Sequence, residues 1–468
     1  MGSVSITVTI ALDMTATIGG EVTAWVHPVQ SSAAEGRSLV TVEIVRGSDA
    51  DPESSSFIPL SEDGPVSFEP RGLKLLDLDA GLASSPLRAG DEVAAVVDDV
   101  RLAPGGTRIL TAAFPAVSSP TISVHVPGFD IVQVPVVEQG SDHWLETAKP
   151  WAGSAALAGA FTSLEARAMS LVAKSTVEVA GDQVLVELPA DVLFAFSKSN
   201  LSGKAQKVAD KAGRKIAEAA AASGEITVVG HTDDQGDAAS NTTLSNARAE
   251  SVAERLRPIL GAGFTVKTEG RGSSEPKVEG TSEEARAANR RVEITFTGRS
   301  ANKLVVVDDV PTELPETTGT VVSATETART EGGSLSDPVI DVKVVSVRRV
   351  GGNLVGRLEV SGPDGPVLSD VLFGTKSWVD SRPARDSFDI SNVTLLTPAS
   401  RVLASDFVSV EEVGEFHRLV GDENTKLHPG DASRPRMFVM VWPDVDPSAT
   451  TVTLDAPDAY RFLDVPIS

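Results

Sequence analysis

Apolar residues recur with two different periods along this 468-residue chain, and where the period changes is what most restricts its fold. Toward the N-terminus the runs SITVTIAL, EVTAWVHPV and SLVTVEIV alternate apolar and polar residues, the period of half-buried strands. Clusters of Pro, Gly, Ser and Asp separate them. Similar runs return near the C-terminus. Between about 183 and 299 strand-like runs trade places repeatedly with stretches of helical spacing. The expectation is a multidomain chain: a central α/β unit in which strands and helices alternate, flanked by two all-β sandwich domains.

The boundaries follow from the same pattern. Residues 1–138 form the first β unit. Residues 139–182 read as a partly helical connector, because Leu157, Phe161, Leu164, Ala168 and Leu171 recur at helical intervals. Within 183–299, QVLVELP and VLFAF read as strands and the segment from Asn200 to Ala222 as a helix. EITVVGH is a buried strand, and LSNARAESVAERL is a helix ended near Pro258. FTVKTEG and RRVEITFTG supply further strands around a short helical stretch at Glu283–Ala288. Residues 300–336, rich in Thr, Glu, Pro, Gly and Ser, read as a linker. Residues 337–468 form the second β unit.

The two β units look like copies of each other. Leu75-Leu76 corresponds to Leu395-Leu396, Phe114-Pro115 to Trp442-Pro443, Pro127 to Pro457, and Val134-Pro135-Val136 to Val465-Pro466-Ile467. Order is kept, and the spacings differ as loop insertions would make them. Two unrelated sandwiches of like composition are the alternative.

Charge narrows the partners. The net charge of −24 argues against nucleic acid, whose phosphates call for a basic surface. Of the 41 basic and 65 acidic residues, 183–299 holds 16 of each, so the flanks carry 25 basic against 49 acidic. A neutral centre between acidic arms suits an anionic polymer as ligand, and equally suits a soluble exported protein. No run approaches the ~18 apolar residues of a transmembrane segment. With no cysteine, thiol chemistry, Cys-ligated zinc and disulfides are excluded. Met1-Gly2-Ser3 is the kind of lead that replaces an export signal in recombinant protein. The absence of an export signal at the start is therefore weak evidence for the cytoplasm.

The segment GHTDDQGDAASNTTLSNARAESVAERL, residues 230–256, carries the most chemistry. Asp233 stands at a strand end and Arg248 on the early turns of the following helix. A carboxylate and a guanidinium facing one pocket suit a zwitterion, the first taking an ammonium and the second a carboxylate. On geometry alone, Asp233 could equally satisfy loop amides and Arg248 make an exposed ion pair. Arg255, seven residues on, points in nearly the same direction.

This stretch resembles the signature of the OmpA C-terminal family, which includes OmpA, the peptidoglycan-associated lipoprotein and MotB. The residues that carry the resemblance are Gly230, Thr232, Asp233, Asn241, Leu244-Ser245, Arg248-Ala249 and Val252. Downstream they are joined by Asn289-Arg290-Arg291-Val292-Glu293, and upstream by the paired aromatics of Phe194-Ala195-Phe196. The match covers about 183–299 and implies a βαβαβ unit with its helices on a small mixed sheet. It implies peptidoglycan as partner, with Asp233 and Arg248 holding the diaminopimelate of the stem peptide. Asn241, Arg290, Thr232 and Asn200 are implied to line the same groove. Ala195 stands where the family often has an acidic residue, and the segment before the last strand is short, so the rim of the groove is expected to differ.

Other chemistry finds no support. The six histidines, His27, His125, His143, His231, His417 and His428, show no metal-ligand spacing, and His231 reads as a structural strand-end residue. No nucleophile elbow, phosphate loop or dinucleotide glycine pattern occurs. With the resemblance, the expectation is a non-catalytic, extracytoplasmic protein of the cell wall or cell envelope, its signal peptide removed, without cofactor or metal, binding peptidoglycan. The alternative is a surface adhesin or assembly subunit that meets a protein partner through its β-sandwich domains, with the central domain only as wall anchor.

Overall fold

The computed structural model describes residues 4–6, 22–48, 56–57, 72–90, 92–97, 101–127, 129–138, 157–171, 174–299, 313–329, 340–361, 393–398, 400–411, 414–421, 436–444, 446–457 and 459–468. In the N-terminal region β1 (Val22–Val26) and β2 (Val29–Ser32) both pair antiparallel with β3 (Arg37–Arg46). A second set contains β4 (Lys74–Asp77) and β5 (Leu82–Ser84). The strand β6 (Thr107–Pro115) lies against β3, while β7 (Thr121–Val126) joins β4 to β8 (Asp130–Glu138). The chain closes where β8 runs parallel to β2. Val42, Ile44, Leu110 and Phe114 from one set meet Leu75, Val124 and Val134 from the other in one buried cluster. Period-two alternation on facing strands is what produces such a two-layer core.

The stretch from 157 to 171 is not helical. It contains β9 (Thr162–Ser170), which forms a hairpin-like pair with β10 (Thr176–Ala180). Leu164, Ala166, Ala168 and Ser170 face inward in strict alternation. Leu and Ala at these positions satisfy either period, so the pairing of neighbouring strands decided the outcome. The residues 139–156 of the expected connector lie outside the described residues.

The central unit opens with β11 (Gln183–Pro189), paired to β10. One helical turn, α1 (Ala190–Leu193), follows where VLFAF suggested a strand. Next come α2 (Gly203–Ala219), capped by Ser202, and β12 (Gly224–His231). The long α3 (Ala238–Leu260) is capped by Asp237 and ends two residues past Pro258 at Gly261, whose positive φ of 78° closes it. β13 (Phe264–Gly272), α4 (Glu283–Asn289) and β14 (Arg291–Thr297) complete the unit. β13 is parallel to β12, and β14 lies antiparallel between β12 and β11, giving the mixed order β13-β12-β14-β11. The helix α3 lies so close to this sheet that a Cβ on Gly230 would overlap the Ser245 carbonyl, and one on Gly270 the Asn246 backbone. That close seat holds the N-terminal half of α3 over the end of β12.

Part of the expected linker is ordered structure. Residues 313–329 are described, and β15 (Thr320–Ser323) within them runs parallel to the last strand of the chain. Its β-branched Thr320, Val321 and Val322 fit a pleated edge better than the surrounding Thr/Glu/Gly composition suggests. In the C-terminal region β16 (Asp341–Val350) forms a hairpin with β17 (Asn353–Ser361). β18 (Thr394–Leu396) pairs with β19 (Ser400–Val402), and β20 (Asp406–Glu411) follows. β21 (Arg436–Pro443) lies against β17, and β22 (Thr451–Ala456) joins β18 to β23 (Tyr460–Pro466). A parallel bridge between Ile467 and Val347 closes this region as β8 and β2 close the first.

One strand ties all three parts together. β9 pairs with β5 at Thr162–Ala83, with β10 along most of its length, and with β19 and β20 at Ala168–Val402 and Leu164–Phe407. The two β regions also share a buried cluster in which Leu76, Ala83 and Ile131 meet Val355, Phe407, Val439 and Val441. Polar contacts cross the same boundary: Lys74 Nζ donates to the Gly421 carbonyl at 2.7 Å, and Arg348 pairs with Asp130 at 2.6 Å. Among the described residues no helix is long and apolar enough to cross a membrane.

Candidate functional site

Three chain segments converge at the end of β12. The strand finishes at His231, and the Thr232 amide donates to the Gly272 carbonyl at 2.9 Å, so the loop to α3 starts from a fixed point. Asn241, on the first turn of α3, donates to the backbone carbonyls of Asp233 and Gln235 at 3.4 and 2.9 Å. It shapes the loop from within, being only 7% exposed. Thr232 is buried too, its hydroxyl bonded to the Asp233 carbonyl. The Asp233 side chain is thereby presented from a braced loop rather than a free one.

Arg248 lies two turns into α3 and is 5% exposed. Its Nε donates to the Lys198 carbonyl at 3.0 Å, and its guanidinium sits over the Phe194 ring, 5.2 Å from the centroid. Burial lowers its pKa from the ordinary value, while the nearby Asp191 and Asp233 carboxylates oppose that effect. Its two terminal nitrogens make no hydrogen bond to any described residue. A guanidinium held this way keeps its fork for an incoming carboxylate. Arg255 is different: its Nε donates to Asp210 of α2 at 2.8 Å. The sequence left the two arginines equivalent, and the packing separates them.

Arg290, just before β14, is the most heavily paired group here. Its Nη1 donates to Asp233 at 2.8 Å, its Nε and Nη2 grip Asp191 at 3.0 and 2.9 Å, and Nη2 also reaches Glu283 at 2.8 Å. These carboxylates, Asp191 first, raise its pKa well above the usual arginine range. Asn200 is exposed on the α1–α2 connection and makes no hydrogen bond to any described residue. Of the six residues named from sequence, the structure therefore gathers Asp233, Thr232, Asn241, Arg248 and Arg290, and leaves Asn200 at the edge.

Asp191 and Glu283 were not singled out by sequence, although an acidic residue in the first turn of a short helix is the signal each carries. The Lys198 carbonyl, as a backbone group, left no signal. His231 is buried with Nε2 3.5 Å from Glu293, a strand-end position facing the sheet. Among the described residues no cluster of His, Asp and Glu could hold a metal ion.

The family model for the OmpA family matches residues 193–290, which span this whole arrangement except Asp191. Residues 193–290 are an OmpA-family domain. Curated relatives match about a quarter of the chain. The probable lipoprotein YiaD of Escherichia coli is 30% identical over 121 residues, covering 26% of this chain and 54% of that protein. Outer membrane protein A of Shimwellia blattae is 32% identical over 120 residues, covering 24% and 50%. The chain thus spans about half the length of these relatives. Among solved structures, the cell wall anchor of the T6SS from Pseudomonas aeruginosa is 32% identical, covering 26% of this chain and 87% of that one, with a TM-score of 0.24.

Proposed function

We propose that this chain is a non-catalytic, extracytoplasmic protein of the cell envelope that grips peptidoglycan through its OmpA-family domain, at the diaminopimelate of the stem peptide. The observation that carries the reading is the state of Arg248: buried, aligned by Lys198 and Phe194, and with its terminal nitrogens bonded to no described residue. Those nitrogens are the part of an otherwise buried side chain left open to a ligand, and a carboxylate matches the fork they form. Asp233 lies on the neighbouring loop with the opposite charge. Together they fit the zwitterionic end of diaminopimelate, ammonium on Asp233 and carboxylate on Arg248. Arg290, Thr232 and Asn241 shape and brace the same groove. The names of the relatives, a lipoprotein and an outer-membrane protein, support an envelope location.

The β regions are read as one sandwich used twice, at 1–138 and 337–468. What supports this is the matching set of pairings: hairpin, facing strand, β4-β7-β8 against β18-β22-β23, and parallel closure at the end. Leu75 opposes Val124 as Leu395 opposes Leu454, and Pro135 opposes Thr121 as Pro466 opposes Thr451. The strand β9 and the shared cluster make these regions a single mount for the wall-binding domain.

The test is co-sedimentation of the full chain with purified, insoluble diaminopimelate-type peptidoglycan. Retention in the pellet that Arg248→Ala abolishes is the expected result. A folded wild-type protein that stays in the supernatant at low salt overturns the proposal.

A further inference from the structure

In the free protein the carboxylate proposed to take the ligand's ammonium is already engaged, since Asp233 Oδ2 accepts from Arg290 Nη1 at 2.8 Å. An ammonium ligand must share or displace that bond. How firmly Arg290 holds Asp233 therefore sets how available Asp233 is. The geometry divides Arg290 unevenly. Its Nε and Nη2, the two donors that make the planar fork, both point at Asp191, at 3.0 and 2.9 Å. Glu283 takes a further bond from Nη2 at 2.8 Å. Only Nη1 is left for Asp233.

We infer that Asp191 is a positioning residue for ligand binding: by occupying the bidentate fork of Arg290, it limits Arg290 to one bond on Asp233, whose other oxygen takes only the Gln235 amide at 3.2 Å, and so keeps that carboxylate open to a cation. This rests on the reading of Asp233 as the ammonium site. The side chains of Arg290 and Asp233 are only 19% and 15% exposed, whereas that of Asp191 is 56% exposed, so the pairing of Arg290 with Asp233 is the less screened of the two. A guanidinium deprived of one carboxylate turns its fork to the next within reach, because the bidentate pairing is the stronger. With Asp191 neutralised, the nearest buried carboxylate is that of Asp233. Arg290 then closes over it. Asp191 sits on α1, immediately ahead of Phe194, so the same short segment that aligns Arg248 also restrains Arg290.

The experiment is a double-mutant cycle on the full chain, titrated with a purified stem tripeptide ending in diaminopimelate. Asp191→Asn should weaken binding about tenfold in the wild-type background, the size of one lost charged contact. In an Arg290→Gln background the same change should alter affinity less than about twofold, because Asp191 acts through Arg290. Equal loss in both backgrounds would mean that Asp191 attracts the ammonium directly, and an unchanged affinity would mean that it has no part; either overturns the inference. A crystal structure of the Asp191→Asn protein supplies a readout independent of ligand. The Arg290 fork is expected on Asp233, and a fork that stays turned toward residue 191 overturns the inference even where binding is lost. Failure of the wild type to bind the tripeptide, with the fork moved as expected, counts against the assigned ligand and not against the role of Asp191.

Discussion

The guanidinium of Arg248 rests over the face of Phe194, 5.2 Å from the ring centroid, although the two residues come from opposite sides of α2 in the chain. Phe194 is 6% exposed, so the ring is part of the core and a platform for the charge at once. Replacing it with leucine keeps apolar volume but removes the π face. Phe194→Leu should leave the protein folded and weaken stem-peptide binding by about 0.5–2 kcal/mol, the range of a partly desolvated cation–π contact. Calorimetric titration measures this, and an affinity equal to wild type would show that the ring does not orient Arg248.

The seat of α3 on the sheet depends on two positions without side chains. A Cβ at Gly230 meets the Ser245 carbonyl oxygen, a backbone atom that cannot swing aside. Gly230→Ala should therefore cost about 1–3 kcal/mol, as overpacking does. It should also weaken ligand binding, because α3 carries Arg248 and its displacement alters the distance to Asp233. Urea denaturation of the variant gives the first number. A stability within error of wild type would mean that the helix does not need this approach.

Where the central domain ends can be read from β10 and β11. Val177 and Val179 of β10 are buried in the same core as Val184, Val186 and Leu188 of β11. A fragment of residues 183–299 exposes that edge, whereas 157–299 retains β9 and β10. The longer fragment should melt at least about 5 °C higher, because it keeps Val177 and Val179 packed beside β11. Identical melting temperatures would place the structural boundary at 183 after all.

Acid should loosen the domain through Glu293. Burial raises its carboxyl, but the His231 imidazole and the Arg291 guanidinium outweigh that and bring it down to about 2 from the ordinary 4.5. A carboxylate whose folded-state pKa is depressed contributes stability that is present above its unfolded value. That stability is lost as pH falls from about 4.5 toward about 2. Glu293→Gln should lower stability at neutral pH, and the gap to wild type should narrow across that window. Urea midpoints measured at a series of pH values test it; a gap constant with pH would show that Glu293 is not the group responsible.

What the sequence disclosed tracks how local each feature is. Asp233, Asn241 and Arg248 lie within sixteen residues on one strand–loop–helix unit, so their convergence was legible from spacing and resemblance. Asp191 and Glu283 reach the same site from segments far apart in the chain, and only Arg290 brings them together. The Lys198 carbonyl that aligns Arg248 was invisible for a different reason, since backbone groups carry no sequence mark. In the β9 stretch Leu and Ala suited both a helix and a strand, and the choice fell to distant partners β5, β19 and β20. The helix α3 ends at Leu260, near the Pro258 that was expected to mark its end, with the final turn closing on Gly261.

The central claim is that Asp233 and Arg248 read the two charges of diaminopimelate, and paired titrations of the full chain test it most directly. Two purified stem peptides are compared, one ending in diaminopimelate and one ending in lysine, which has the ammonium but lacks the adjacent carboxylate. Wild type should favour the first by roughly ten- to a hundredfold, the cost of leaving Arg248 without a partner. Arg248→Ala should shrink that preference, and Asp233→Ala should weaken both peptides. Equal affinity of wild type for the two peptides would contradict the role given to Arg248.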